Sequence, residues 1–311
     1  MSYIFNRLLS IALTLFLISV ITFAVTTVLP GDVATMIMGT QSNPQALAGL
    51  RKALGLNDPL VVQYGRWIAG MATGDWGQSL IFKVPIADLL IQKIKASSLI
   101  VVMSMGIALL CAVPLGVWAA VHRDRWQDGA SSSAALVGVS LPDFFWGIMM
   151  ILLFARTLGW FPSSGFADPS VSLEQALAHA FLPSLALGLG LMAHLTRMTR
   201  STMTGILGQE FIRVGRAKGL KERTIVWRYA LANAIGPVIT VAGLQVGYLF
   251  GSIIETLFNY TGMGWLTYQA LLNRDIPLIQ ATVFVIAAVV MLANLAVDLL
   301  YLYFDPRIRL E

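Results

Sequence analysis

The side chains able to do chemistry in this sequence are few, and they occur in two settings. Asp143, Glu255 and Asp298 lie inside apolar stretches of membrane length. An ionisable group there is costly, and marks either structural pairing or contact with a bound species. The second setting is the reverse. Between Arg197 and Arg228 stand eight Lys/Arg (Arg197, Arg200, Arg213, Arg216, Lys218, Lys221, Arg223 and Arg228) against Glu210 and Glu222. Such a basic island in an apolar chain is either a topology signal or a docking element for a cytoplasmic partner. Recognisable catalytic sets do not occur. There is no G-x-x-x-x-G-K-[ST] phosphate loop, so ATP binding by that means is not expected. There is no H-E-x-x-H or G-x-S-x-G motif either. His122, His179 and His194 are far apart and read as packing or interface residues. The single cysteine, Cys111, lies in an apolar run and supports no disulfide framework.

The elements that must position these residues are membrane helices. Hydrophobic residues make up 57% of the 311 and charged ones 12%, about half the usual charged share. A soluble domain cannot hide that much apolar surface, so the expected class is an all-α polytopic membrane protein. Six stretches match the roughly 20 residues a helical span needs. They run near 9–29, 97–121, 132–156, 181–199, 235–258 and 278–304. The fourth is interrupted by Pro183, Gly188, Gly190 and His194. The first follows Arg7 and ends at Leu29-Pro30-Gly31 without an A-x-A-like cleavage site, so it reads as a retained span. Basic residues favour the cytoplasmic side. Arg7, Arg123, Arg125, the island, Arg307 and Arg309 then put both termini inside. The six basic residues of the loop 30–96 do not oppose this, because long loops translocate largely regardless of charge.

That loop is too long for a plain connector. Asn43–Leu54 and Leu60–Met71 have helical composition, and Asn57-Asp58-Pro59 and Thr73-Gly74-Asp75 mark turns. Pro85–Lys95 carries apolar residues at helical spacing and is expected along the membrane surface. In the fifth span Gly243, Gly247 and Gly251 recur at i, i+4 and i+8. They read as a helix-packing ridge, or alternatively as one wall of a conduit. Glu255, near the outer end of that span, is expected to face a vestibule. Asp143 follows Leu141-Pro142, where a proline frees backbone groups, and so is expected to cap a broken helix.

Within the island, Gln209–Lys218 contains no proline and reads as a short helix. Gly219 follows, suited to the left-handed conformation that ends a helix, and Leu220 falls where a capping contact is usual. A second helix is expected from about Lys221 to Asn233, before Pro237. Gly215 and Ala217 leave little bulk, so a partner surface can approach closely. Arg213, Arg216 and Lys218 can pair with its acids.

These residues resemble the cytoplasmic EAA loop of ABC-importer permeases, in the ARAKGL variant of the peptide/nickel branch. In the general pattern E-A-A-x3-G-x9-I-x-L-P, the glycine corresponds to Gly219. The E-A-A positions fall on Arg213, Val214 and Gly215, and I-x-L-P on Tyr229-Ala230-Leu231-Ala232. Only Gly219 and Leu231 agree with that form, whereas Arg216-Ala217-Lys218-Gly219-Leu220 and Ala230-Leu231, Asn233 and Pro237 agree with the branch. The likeness extends along nearly the whole chain. It includes Leu29-Pro30-Gly31-Asp32, Leu54-Gly55-Leu56, Gly74-Asp75-Trp76-Gly77-Gln78-Ser79, Ser140-Leu141-Pro142 and Asn273-Arg274-Asp275-Ile276-Pro277. It ends with Asp305-Pro306-Arg307 and Arg309.

The resemblance implies a type I importer permease fold in the bacterial inner membrane. It implies a single transmembrane domain over 1–311, with an extracytoplasmic loop at 30–96 and a cytoplasmic coupling loop at 200–234. The implied partners are a paralogous permease completing a heterodimer, two ATP-binding subunits and an extracytoplasmic substrate-binding protein. ATP and Mg²⁺ would be held by the partners, with no cofactor on this chain and no nucleic acid. The implied coupling residues are Glu210, Arg213, Val214, Gly215, Arg216, Ala217, Lys218, Gly219 and Leu220. Peptides are the implied cargo, with nickel chelates, glutathione and oligosaccharides as alternatives. An ion-driven carrier would need a proton or sodium relay or internal repeats, and an intramembrane enzyme a nucleophile–base pair. Neither is evident.

Overall fold

A computed structural model describes residues 2–28, 33–38, 43–53 and 55–304. The motif residues Leu29-Pro30-Gly31-Asp32, Leu54, Asp305-Pro306-Arg307 and Arg309 lie outside the described residues. The described chain is helical, in two compact units: Met1–Ser97 with Thr261–Met291, and Ser98–Tyr260 with Leu292–Glu311.

Helix α1 spans Ser2–Val28, followed by α2 (Val33–Met38), α3 (Pro44–Ala53) and α4 (Leu60–Thr73). Then come α5 (Ile86–Val121), α6 (Trp126–Ser140) and α7 (Asp143–Met150), which runs on as a π-helical segment, Ile151–Thr157. Helix α8 is Leu173–Leu207, α9 is Glu210–Ala217 and α10 is Glu222–Thr224. A second π-helical segment, Ile225–Ala230, leads into α11 (Leu231–Leu244). Helices α12 (Val246–Leu249), α13 (Ile254–Leu257), α14 (Met263–Leu272) and α15 (Ile276–Phe304) complete the order.

In the first unit α1 is a peripheral span. Phe5, Leu9, Leu13, Phe16, Ile21 and Val25 along it are exposed, as befits a helix solvated by lipid. One face meets α4, with Phe23 edge-on to Tyr64 at 5.5 Å and Ser19 hydrogen-bonded to the Tyr64 hydroxyl at 2.8 Å. Among the described residues of the long loop, α2, α3 and α4 are helical, in line with the helical composition of 43–54 and 60–71. Gly74 closes α4 in the left-handed conformation. Buried Asp275 ties the segment Ser79–Ile81 to the start of α15. Its Oδ2 accepts from Ser79 Oγ at 2.6 Å and Ile81 N–H at 3.2 Å, and its Oδ1 from Leu278 N–H at 3.3 Å.

Several span boundaries differ from the sequence expectation. Pro85–Lys95 is not a separate surface helix. It opens α5, whose 36 residues continue through the second span, about 54 Å at 1.5 Å per residue. The interrupted fourth span is one helix of 35 residues with Pro183 inside. Helices α6, α7 and α11 pack on it, and its buried small residues (Ala176, Ala180, Ala186, Gly188 and Ala193) let them approach. Arg197 and Arg200 belong to α8 and not to a loop. Arg200 pairs with buried Asp128 at the start of α6, with Nη2 2.6 Å from Oδ2.

The third span is broken. α6 and the helix beginning at Asp143 meet at 98° across Leu141-Pro142. Proline lacks the N–H that would continue the ladder, and it drives Leu141 to an extended conformation. The fifth span also stops early, because Phe250 is extended and Gly251 has φ +83°.

Candidate functional site: the coupling helix and the mid-span cavity

The island forms a helix–turn–helix. In α9, Gly219 sits at φ +78°, with its N–H 2.9 Å from Arg216 O and the Leu220 N–H 3.3 Å from Gly215 O. These two bonds make a Schellman C-cap, and they satisfy carbonyls that a helix end leaves open. Arg216 reaches across the turn to Glu222 in a two-pronged pair at 2.6 and 3.2 Å. The hydrogen-bonded Glu222 carboxylate pushes the Arg216 guanidinium up from its ordinary value. Both side chains are about half exposed, which limits the pair to about 0–1 kcal/mol.

What holds α9 to the membrane domain is Ile212, at 1% exposure. It packs in one cluster with Val117 and Ala120 of α5, Met203 of α8, Ile225 and Val226 of the second π-helical segment, and Ala234 of α11. The cluster thus joins α9 to the ends of α5 and α8 and the start of α11. Sequence reasoning passed over Ile212 and Ile225. The available signal was the apolar spacing Phe211-Ile212…Gly215 within an otherwise charged helix. The remaining residues expected to take part in coupling stay on or near the surface. Glu210 and Arg213 are exposed and 3.5 Å apart, and Val214 and Leu220 are partly exposed beside a small cavity of about 200 Å³ closed by Ile225 and Tyr229. Gly215 is half-buried, and Ala217 and Lys218 complete the exposed run, Lys218 as the C-cap.

A Cβ on Gly215 would stand 3.6 Å from Leu220 Cδ1, an ordinary contact. Gly215→Ala should therefore stabilise α9 by about 1 kcal/mol through helix propensity. Slower amide exchange at Arg216–Leu220, with uptake intact, is the expected reading. Faster exchange there would contradict it.

The pathway candidates do not act together. Gly243 packs against α15: a Cβ there would lie 1.8 Å from Val297 Cγ2, which supports packing for this residue. Gly243→Leu is expected to lower membrane-inserted yield severely, and Val297→Ala in the same chain to restore part of it. Gly247 lies in α12, and Gly251 is off the helix altogether, so the ridge of three glycines on one face does not form. Glu255, expected at a vestibule, is completely buried in α13, with its backbone carbonyl accepting the Tyr260 N–H at 2.7 Å. Asp143 and Gly251 do converge. Both line a cavity of about 640 Å³ beside the break in the third span, together with Gly190, His194, Gln245 and Tyr248. Asp143 is the first residue of α7, and its Oδ2 accepts a hydrogen bond from the Tyr248 hydroxyl. Tyr248, Gly190 and Gln245 carried no signal on their own, because only the tertiary fold brings them to Asp143.

A polytopic helical protein with a helix–turn–helix anchored to the ends of its spans, and a cavity lined by Asp143, His194, Gln245 and Tyr248 at the break in one of them, has the architecture of a membrane transport subunit. The chain belongs to the family of binding-protein-dependent transport system inner membrane components. That family's model matches residues 112–310, and the model for its N-terminal region matches 1–82. It is 38% identical over 331 residues to a dipeptide transport system permease protein of Alkalihalophilus pseudofirmus, covering 99% of both chains. It is 36% identical over 311 residues to a glutathione transport system permease protein of Escherichia coli, again covering 99% of both. The fold matches the inward-facing MetNI methionine ABC transporter with a TM-score of 0.60 at 18% identity, over 70% of this chain and 96% of that one. The chain is thus a multi-pass inner-membrane permease of an ABC importer in the peptide/nickel group. Membership implies ATP-binding subunits and a substrate-binding protein as partners.

Proposed function

We propose that this chain forms one transmembrane half of an ATP-driven importer of short peptides, paired with a paralogous permease. The observation that carries the reading is the anchoring of α9. A capped, largely exposed helix with basic residues on its surface is tied through Ile212 to the ends of α5, α8 and α11. Closure of two ATP-binding subunits beneath it would move α9 and shift the spans between inward- and outward-facing states, a population shift. The chain itself performs no catalysis and binds no cofactor, and ATP and Mg²⁺ belong to the partner subunits. A binding protein delivers the solute from outside. The names of the dipeptide and glutathione relatives support peptide-like cargo, glutathione being itself a tripeptide.

The test is purification of the tagged chain with the products of adjoining genes, followed by reconstitution in proteoliposomes. Co-purified ATP-binding subunits and ATP-dependent dialanine uptake are expected, with glutathione as the competing solute. Uptake driven by an ion gradient without ATP would overturn the reading in favour of a secondary carrier.

A further inference from the structure

The cavity beside the broken third span has a chemistry of its own. Asp143 lies at the break in the third span, Gly190 at the midpoint of α8, and Tyr248 in the short helix α12 where the fifth span ends. An ionisable group within a span is costly. Tyr248 is 62% exposed and His194 is exposed too. Open polar side chains within spans are better matched by water or by the other half of the pore than by lipid. At the break, α6 brings its carbonyl end and α7 its amide end. The helix dipoles therefore oppose each other, and the side chains decide the sign of the site.

Asp143 is the single acid in the lining and His194 the single base, with Arg197 Nη2 3.4 Å from the His194 Nδ1. The Asp143 Oδ2 is held by Tyr248. Its Oδ1 takes no hydrogen bond from any described residue and is directed at Gly190, where a Cβ would come within 2.9 Å of it. A carboxylate is thus held through one oxygen and keeps acceptor capacity on the other. Gln245 and Ser252 add neutral oxygen acceptors to the same lining. An ammonium group carries three donors and no acceptor, which this set can satisfy. A metal ion would want more ligands, and no cluster of three or more His/Cys/Asp/Glu occurs among the described residues. The volume, about 640 Å³, lies in the range of small-molecule sites.

We propose that this cavity is a transit site for a protonated amine of the transported solute, with Asp143 as its counter-ion and Tyr248 as the residue that positions the carboxylate. The assignment rests on the reading of the chain as half of a pore.

The assembled transporter in nanodiscs provides the test. Exposed Cys111 is first replaced by serine, and Ser252→Cys then puts a thiol in the cavity wall. Two thiosulfonates of similar size are compared, one bearing trimethylammonium and one sulfonate, each normalised to its rate with a free thiol. The cationic reagent is expected to react at least about tenfold faster, within the range of electrostatic focusing in a charged cleft. Asp143→Asn should collapse that preference, and dialanine should protect the thiol at lower concentration than N-acetyl-dialanine. Failure of both reagents to react would show that the cavity is closed to water, which overturns the pore reading. An anionic preference, or a cationic preference that survives Asp143→Asn, would overturn the amine assignment and leave the pore intact. Equal protection by both dipeptides would overturn it as well.

Discussion

Gly219→Trp is expected to insert and assemble normally but to lose uptake, while the partner ATPases continue to hydrolyse ATP without it. Two effects combine. A side chain at φ +78° costs about 1–2 kcal/mol in the left-handed region, which loosens the C-cap holding Leu220 against α9. A Cβ at this position meets nothing within 4 Å in this chain, so an indole projects outward into the space a docked partner would fill. Gly219→Ala separates the effects, since it introduces the strain without the bulk. Uptake in proteoliposomes should be largely retained for alanine and abolished for tryptophan, with ATP hydrolysis measured in parallel. Normal uptake by the tryptophan variant would sink the assignment of α9 as the coupling element.

Ile212→Ala acts from the opposite side of the same helix. It removes a fully buried side chain from the cluster of Val117, Met203, Ile225 and Ala230, at a cost of about 2–5 kcal/mol. The loss falls on the attachment of one short helix and not on the spans, so the chain should still insert while α9 detaches locally. Two kcal/mol corresponds to about a thirtyfold larger open population. Trypsin added to inside-out vesicles should then cut at Arg213, Arg216 and Lys218 at least about thirtyfold faster, because cleavage tracks that population. Uptake should fall with it. Val214→Ala, at a residue 45% exposed, serves as the control and should change little. Unaltered proteolysis in Ile212→Ala would mean that α9 is held by other contacts.

These two variants also mark what could be read without coordinates. The cap at Gly219 was visible because its signals are local: a glycine after a run of helix formers, a cation in the last turn and a leucine next. The anchor at Ile212 was not, because its partners lie roughly 10 to 95 residues away along the chain, at the ends of three other helices. The third span shows the same division. Leu141-Pro142 announced a break, but neither its 98° angle nor the meeting of Asp143 with Tyr248 follows from a proline. In the fifth span, regular glycine spacing predicted one face, and the backbone left the helix before the third glycine arrived.

By itself, then, the sequence determined the membrane class and the approximate spans, the orientation expected of them and the position of the exposed helix capped at Gly219. All of these follow from short-range properties: apolar run length, basic residues in loops and the conformational needs of single glycines. Only the tertiary structure decided which helices α9 packs against, that Glu255 is buried, and that Asp143 lines a cavity with Gly190 and Tyr248. Those outcomes depend on helix ends and breaks from distant parts of the chain meeting in three dimensions. No local pattern of residues encodes such a meeting.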